Sequence, residues 1–291
     1  MTVQIDAPLV RSLISRQFPQ WSDLPVEPVA QSGWDNRTFH LGTDKLVRMP
    51  SADHYAAAVH KEQKWLPLLA PQLPLPIPEP LAKGVPDTRY PWHWSVYRWI
   101  DGNVASREQR IDLNRFASDL ADFLLSLQAC DTREGPTRKL RGGSLELYNP
   151  QFYEAIDRLA QQLDTQAAHH IWQQALAAPF EEASVWYHGD VAAGNLLVNN
   201  QRLSAVIDFG GLGVGDPACD TVIAWTFLSA DSRATFRQRL GVSDAIWRRG
   251  RGWALWKGLI VVSGIIETNA IEAASAQYAI DQVISDWRAA P

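Results

Sequence analysis

The stretch WYHGDVAAGNLLVNN, residues 186–200, places Asp190 in a short glycine-containing loop between apolar runs, with Asn195 five positions on. The next apolar run, LSAVIDFGG, ends on a second carboxylate at Asp208. Short apolar runs bounded by turn residues read as strands, so both loops hang from strand ends. Two carboxylates and an amide in such positions are costly to desolvate unless something binds them. A metal ion or a reacting hydroxyl supplies that partner.

The flanking patterns divide the chain. Residues 8–18 have helical spacing, and strand-like pieces follow at 25–31, 37–41 and 45–49, with SGWDN and GTD as the turns between them. Residues 51–70 open on Ser51 as an N-cap and run as a helix until LPLPIPEP stops it. Residues 81–84 and 93–99 read as extended. Beyond IDGNVAS helical patterns dominate, at 111–129, 150–180, 216–230 and 243–288, around a β segment at 184–208. The simplest parse is an α+β chain with a small β-rich N-terminal lobe, residues 1–100, and a larger, mostly helical C-terminal lobe, residues 101–291.

A length of 291 residues suffices for two lobes with cores of their own. The formal net charge of -5 gives no general attraction for nucleic acid or an anionic membrane. The N-terminal MTVQIDAPLV has no basic and apolar signal pattern, and the apolar run at 258–266 is far too short to span a bilayer. Cys130 and Cys219 read as free thiols of a reducing compartment. The expectation is a cytoplasmic monomer.

The oxygen-only pair of Asn195 and Asp208 suits Mg²⁺, which keeps several waters and takes further ligands from phosphates. The spacing H-x-D-x-x-x-x-N followed by D-F-G, here His188, Asp190, Asn195 and then Asp208, Phe209, Gly210, resembles the catalytic and metal loops of protein kinases. HGDVAAGNLLV with AVIDFGGLGVGDPACD resembles the aminoglycoside phosphotransferase family, kinase-like enzymes with macrolide, choline and fructosamine kinase relatives. The resemblance runs from SGWDN to the C-terminal helices. It implies a protein-kinase-like two-lobed fold, ATP or GTP as donor, Mg²⁺, and transfer of the γ-phosphoryl group to a hydroxyl of a small molecule. That acceptor is expected to be an aminoglycoside-like antibiotic or related compound, a macrolide or another metabolite. Asp190 takes the catalytic and acceptor-orienting role, and Asn195 and Asp208 hold the metal.

The family also needs a basic residue on the third strand for the phosphates, paired with a glutamate on the following helix. In KLVRM, Leu46 and Arg48 share one strand face, while Lys45 and Val47 share the other. Leu46 suits the cover of a purine ring, and Arg48 the phosphates. On the helix, Tyr55, Val59, Glu62 and Leu66 form one stripe, of which Glu62 is the only charge, so it pairs with Arg48. Protein kinases use lysine at this strand position, so Lys45 stands as the alternative. QSGWDN has one glycine instead of a glycine-rich run, leaving Ser32, Gly33 and Asn36 as phosphate-loop candidates with no rule to choose among them. SVYRWIDG resembles the family's hinge: the Arg98 carbonyl and Ile100 amide would meet the purine, with Tyr97 lining its pocket.

Other features have structural readings. The glycine spacing of GGLGVGDP does not fit a dinucleotide fingerprint, and Asp216 with Pro217 reads as a helix cap and first helical residue. Asp216 and Asp220 are therefore structural. His169 and His170, being adjacent, cannot face one site together, and His188 holds its loop through a backbone hydrogen bond. Trp92, Trp94, Trp99, Trp253 and Trp256 are mostly core residues, with one or two walling a substrate pocket. Glu267 is a candidate contact for a substrate amine. The rival functions are a metal-dependent phosphoesterase ligated by His188, Asp190 and Asp208, and a nucleotide-binding scaffold without activity.

Overall fold

Alternation along two neighbouring strands decides how the first part of the chain is layered. Val47 pairs with Val96 and Arg48 with Ser95, so apolar side chains leave one face of the sheet and polar ones the other. The computed structural model describes residues 3–30, 35–137, 141–267 and 270–289. It divides into two compact units, Met1–Gly102 with Ala205–Gly210, and Asn103–Ser204 with Gly211–Pro291.

The first unit runs α1 (Ala7–Gln17), β1 (Val26–Pro28), β2 (Asn36–Leu41), β3 (Lys45–Pro50), α2 (Asp53–Leu69), β4 (Pro80–Gly84) and β5 (Trp94–Arg98). The strands form one antiparallel sheet in the order β1-β2-β3-β5-β4. Val10, Leu13 and Ile14 of α1 join Val47, Met49 and Val96 in a buried core on one face. The other face meets α2, where Gln63 Nε2 donates to Ser95 Oγ at 2.9 Å. The N-cap of α2 is Ala52, not Ser51 as its residue type suggests. The Ser51 hydroxyl donates instead to the Asp35 carbonyl at 3.0 Å, so a long-range partner outcompetes the local cap.

The second unit contains β6 (Asn103–Val104), α3 (Leu113–Ala129), α4 (Asn149–Arg158), α5 (Thr165–Ala177), β7 (Val185–Tyr187), β8 (Leu196–Asn199), the start of β9 (Arg202–Val206), β10 (Gly213–Gly215), α6 (Ile223–Thr226), α7 (Ala230–Leu240), α8 (Asp244–Val262) and α9 (Ala270–Ala289). β6, β8 and β9 form one small sheet, and β7 pairs with β10 in another. Asn200 and Gln201 join β8 to β9 with φ of 50° and 64°, the mirror-image turn that suits a two-residue hairpin. Of the GGLGVGDP glycines, Gly210 and Gly211 end a 3-10 turn and Gly213 and Gly215 lie in strand β10. Asp216 behind them caps a 3-10 turn through Ala218 N (3.0 Å) and takes a buried two-pronged ion pair from Arg249 (2.6 and 3.1 Å).

Several helices differ from the periodicity. The segment 150–180 breaks into α4 and α5 because Asp164 caps a new start, accepting from Ala167 N at 3.0 Å. The segment 243–288 breaks after α8, where Gly264 takes a left-handed φ of 71°. The helix expected at 216–230 is a 3-10 turn, Pro217–Val222, followed by α6. Helix α7 lies where no helix was expected. Its buried residues, Ser232, Arg233, Phe236 and Leu240, are half polar, so its inner stripe does not read as apolar. Cys130 and Cys219 are buried free thiols. Among the described residues no helix is long and apolar enough to cross a membrane.

Candidate active site

The loop after β7 is held from behind by a buried carboxylate. Asp220 accepts from the backbone N–H groups of His188 and Gly189, both at 2.7 Å. Burial pushes the Asp220 carboxyl up, while His188 and these two amides act to keep it charged. The His188 ring, itself fully buried, accepts from Asp190 N through Nδ1 at 3.2 Å. Gly189 has φ 82°, and a Cβ there would lie 2.5 Å from the Gly211 carbonyl oxygen. Only glycine meets both demands. The sequence HGD therefore folds so that Asp190 is presented on a loop with little freedom.

Asp190 is surrounded by donors. Asn195 Nδ2 donates to its main-chain oxygen at 2.9 Å and to Oδ2 at 3.0 Å. Both partners are acceptors, so the amide nitrogen must face them and the Asn195 Oδ1 faces elsewhere. Arg141 Nη1 donates to Asp190 Oδ1 at 2.5 Å and to the Gly189 carbonyl at 2.7 Å. Lys257 Nζ from α8 lies 3.4 Å from the same Oδ1. Burial opposes the charge on Asp190, but Lys257 and Arg141 outweigh it and hold the carboxyl well below the usual carboxylate range. Asp190 with Arg141, Cys219, Trp253, Trp256 and Lys257 lines one concavity of the second unit.

The sequence reading missed Arg141 and Lys257. The one local signal was the RGG that follows a polar loop. Gly142 takes φ 79°, a Cβ there would strike the Tyr187 ring at 2.2 Å, and its carbonyl accepts from Asp216 N at 3.1 Å. That anchor aims Arg141 at the loop.

In the first unit Arg48 gathers three carboxylates. Its guanidinium lies 3.1 Å from Glu62, 2.5 Å from Asp208 and 3.5 Å from Asp35. Glu62 is buried, which pushes its carboxyl up against the opposing pull of Arg48. The Tyr97 hydroxyl donates to the other Glu62 oxygen. Tyr97, expected to line a purine pocket, is thus a buried anchor for Glu62. Lys45 sits on the other strand face, paired with Asp44 at 2.7 Å and over the Trp21 ring. Asp208 has φ 64°, a left-handed backbone uncommon for a residue with a side chain and concentrated at functional sites. Lys61 donates to the Gly210 carbonyl at 2.6 Å.

The remaining candidates have these places. Leu46 is half-buried and pairs across the sheet with Tyr97. Arg98 is exposed, with N donating to the Glu79 carbonyl at 2.9 Å, and Ile100 is half-buried just beyond β5. Asn36 is buried, with Nδ2 on Asp35 at 2.9 Å. Ser32 and Gly33 lie outside the described residues. Glu267 is exposed beyond α8 and does not line the Asp190 concavity.

Among the described residues no group of three or more His, Cys, Asp or Glu could hold a metal unaided. The Asn195 amide oxygen and the Asp208 carboxylate are each hard oxygen donors of the kind Mg²⁺ takes. His188 Nδ1 is committed to Asp190 N, which removes one ligand atom from the phosphoesterase reading.

An ionised aspartate fixed beside an amide, and an arginine locked to a buried glutamate, define a kinase-like phosphotransferase fold of the two-lobed α+β class. The chain belongs to the phosphotransferase enzyme family, whose family model it matches over residues 26–253, and is a phosphotransferase with an alcohol group as acceptor. No curated protein sequence matches it. Solved structures share its fold. The GDP and kanamycin complex of APH(2")-IIia has 20% identity and a TM-score of 0.71, covering 96% of this chain and 98% of that one. The streptomycin-ATP-APH(2")-IIa ternary complex has 18% identity and a TM-score of 0.59, covering 96% and 97%. The macrolide 2'-phosphotransferase MphH from Brachybacterium faecium, an apoenzyme, has 19% identity and a TM-score of 0.64, covering 94% and 97%.

Proposed function

We propose that the protein transfers the γ-phosphoryl group of ATP or GTP to a hydroxyl of a small molecule, working in the cytoplasm as a monomer. The observation that carries this reading is the Asp190 carboxylate, ionised and oriented by Asn195, Arg141 and Lys257. Asp190 accepts the acceptor's hydroxyl hydrogen bond and takes its proton as the oxygen reaches the γ-phosphorus. Arg48, fixed by Glu62, exchanges Asp208 for phosphate oxygens. Asn195 and Asp208 would hold Mg²⁺, a pairing supported by the spacing of their motif, and such an ion would supply neutralisation of phosphate charge. Backbone N–H groups near Ser32, Gly33 and Asn36 are the candidate phosphate contacts of the QSGWDN stretch. Leu46 covers the purine, and the backbone at Arg98 and Ile100 reads its edge, with residues near 100 as the hinge. Positioning and charge neutralisation carry most of the rate, because a loose transition state needs little covalent help. The structures with GDP and with ATP leave both purine donors in the proposal.

The test compares Asp190→Asn with Asp208→Asn. Asp190→Asn keeps Mg-nucleotide affinity, read by calorimetry, and loses roughly 10²–10⁴-fold in turnover. Asp208→Asn weakens both together, since a neutral amide replaces an anionic ligand. Equal loss of nucleotide binding in two folded variants would refute the division of labour.

A further inference from the structure

The concavity around Asp190 is rich in donors and poor in acceptors. Arg141 and Lys257 both line it, and among the described residues Asp190 is the only carboxylate that does. Two cations thus meet a single carboxylate. The second, and most of the donors on the first, have no explanation in Asp190 alone. Arg141 uses only Nη1 on protein acceptors, so Nε and Nη2 of its five-donor fork carry no hydrogen bond among the described residues. Lys257 makes one long contact, at 3.4 Å, and keeps further N–H groups. Their side chains are 38% and 39% exposed, open enough to meet a ligand. Trp253 lines the same concavity, and its buried indole N–H has no partner among the described residues. The neighbouring acids do not offset this surplus. Asp216 is neutralised by Arg249, and Asp220 is engaged by the His188 and Gly189 amides.

Such a lining repels a polycation. Tryptophan faces attract ammonium groups, but an ammonium here would share the concavity with a guanidinium and a lysine. Oxygen-rich anions match every unpaired donor, and a guanidinium fork suits carboxylate and phosphate alike.

Building on the phosphotransferase reading above, we infer that the acceptor is a small hydroxylated anion, its carboxylate or phosphate held by Arg141 and Lys257 while Asp190 holds its hydroxyl. The hydroxyl oxygen forms a bond to the γ-phosphorus as the bond from that phosphorus to the β–γ bridging oxygen breaks. The hydroxyl proton passes to Asp190, and the nucleoside diphosphate leaves with the bonding pair.

The test uses the full chain with Mg-ATP and Mg-GTP and matched acceptors: gluconate and glucuronate, glucose 6-phosphate, glucose and sorbitol, glucosamine and kanamycin. Nucleoside diphosphate release above the water reaction is read beside product mass. The expected result is stimulation by the acids or the sugar phosphate, the active arm naming the anion. Lys257→Gln and Arg141→Gln should each raise KM for that anion about 10–100-fold, the scale of a hydrogen bond to a charged group. Lys257→Arg should restore part of it, and KM for the nucleotide should stay within twofold, roughly, because neither side chain is assigned to it. Stimulation by glucosamine, kanamycin or the neutral polyols alone, or by none of the acceptors, would overturn the inference. Absence of nucleotide binding would instead overturn the phosphotransferase reading, so the two failures are told apart.

Discussion

Replacing Asp220 by asparagine tests whether the Asp190 loop is positioned from behind. Asp220 accepts two backbone bonds at 2.7 Å, from His188 and Gly189, and is 1% exposed. A bond to a charged group contributes about 1.5–3 kcal/mol. Asparagine offers one acceptor oxygen and turns an NH₂ group toward the second amide, so one bond becomes neutral and one buried N–H loses its partner. The expected loss is about 2–4 kcal/mol, within the 5–15 kcal/mol of an ordinary domain, so the variant should fold. The unfolding midpoint in urea should drop with little change in slope. With Gly189 no longer pinned, Asp190 shifts, and a displacement of about 1 Å costs roughly 10²-fold in turnover. Mg-nucleotide affinity should fall far less than turnover, because Arg48, Glu62 and Asp208 belong to the other unit and Asn195 alone of the proposed metal ligands sits beside Asp190. An unchanged midpoint with turnover within twofold, roughly, would refute the reasoning. So would loss of nucleotide affinity in step with turnover.

Arg48→Ala should lower turnover by about 10²–10³-fold, the scale for removing one preorganised donor, while Lys45→Ala stays near the parent in phosphate-transfer assays. The reverse ranking would mean the wrong strand face was assigned. The acid limb of kcat/KM should fall below the usual carboxylate range. Asp190 has a depressed folded pKa, so its ionised contribution is complete above the unfolded value of about 3.9 and is lost only as pH falls through the lower folded one. Lys257→Gln removes a cation that lowers this pKa and should move the limb upward in a pH–rate profile.

The parts of the molecule that were legible in sequence are those whose physics is local. Asp190 and Asn195 lie five positions apart in one loop, and Asp208 follows the next strand but one, so their spacing and its likeness to kinase loops made them candidates. The division of β3 into a Lys45–Val47 face and a Leu46–Arg48 face follows from the period of two that any strand imposes. Helix α7 was illegible for the opposite reason. Its buried Arg233 is satisfied by Gln282 at 2.6 Å and Asp286 at 3.4 Å, both from α9. A helix whose inner face is polar but paired leaves no apolar stripe to read.

The donors around Asp190 were hidden by the same kind of distance. Arg141 is 49 residues from Asp190 and Lys257 is 67, and neither belongs to a motif. A catalytic loop is built from neighbours in sequence because its backbone must take one fixed path. The surface facing the acceptor only has to place charges, and side chains from any element can do that. The candidate loop was therefore readable from a few adjacent residues. The cations beside Asp190 come from Arg141 and from Lys257 of α8, and only the folded chain shows that they converge. That difference explains how a chain can keep the HGD and DFG loops while the side chains around them vary. The two properties are set by different residues, so one can change while the other stays.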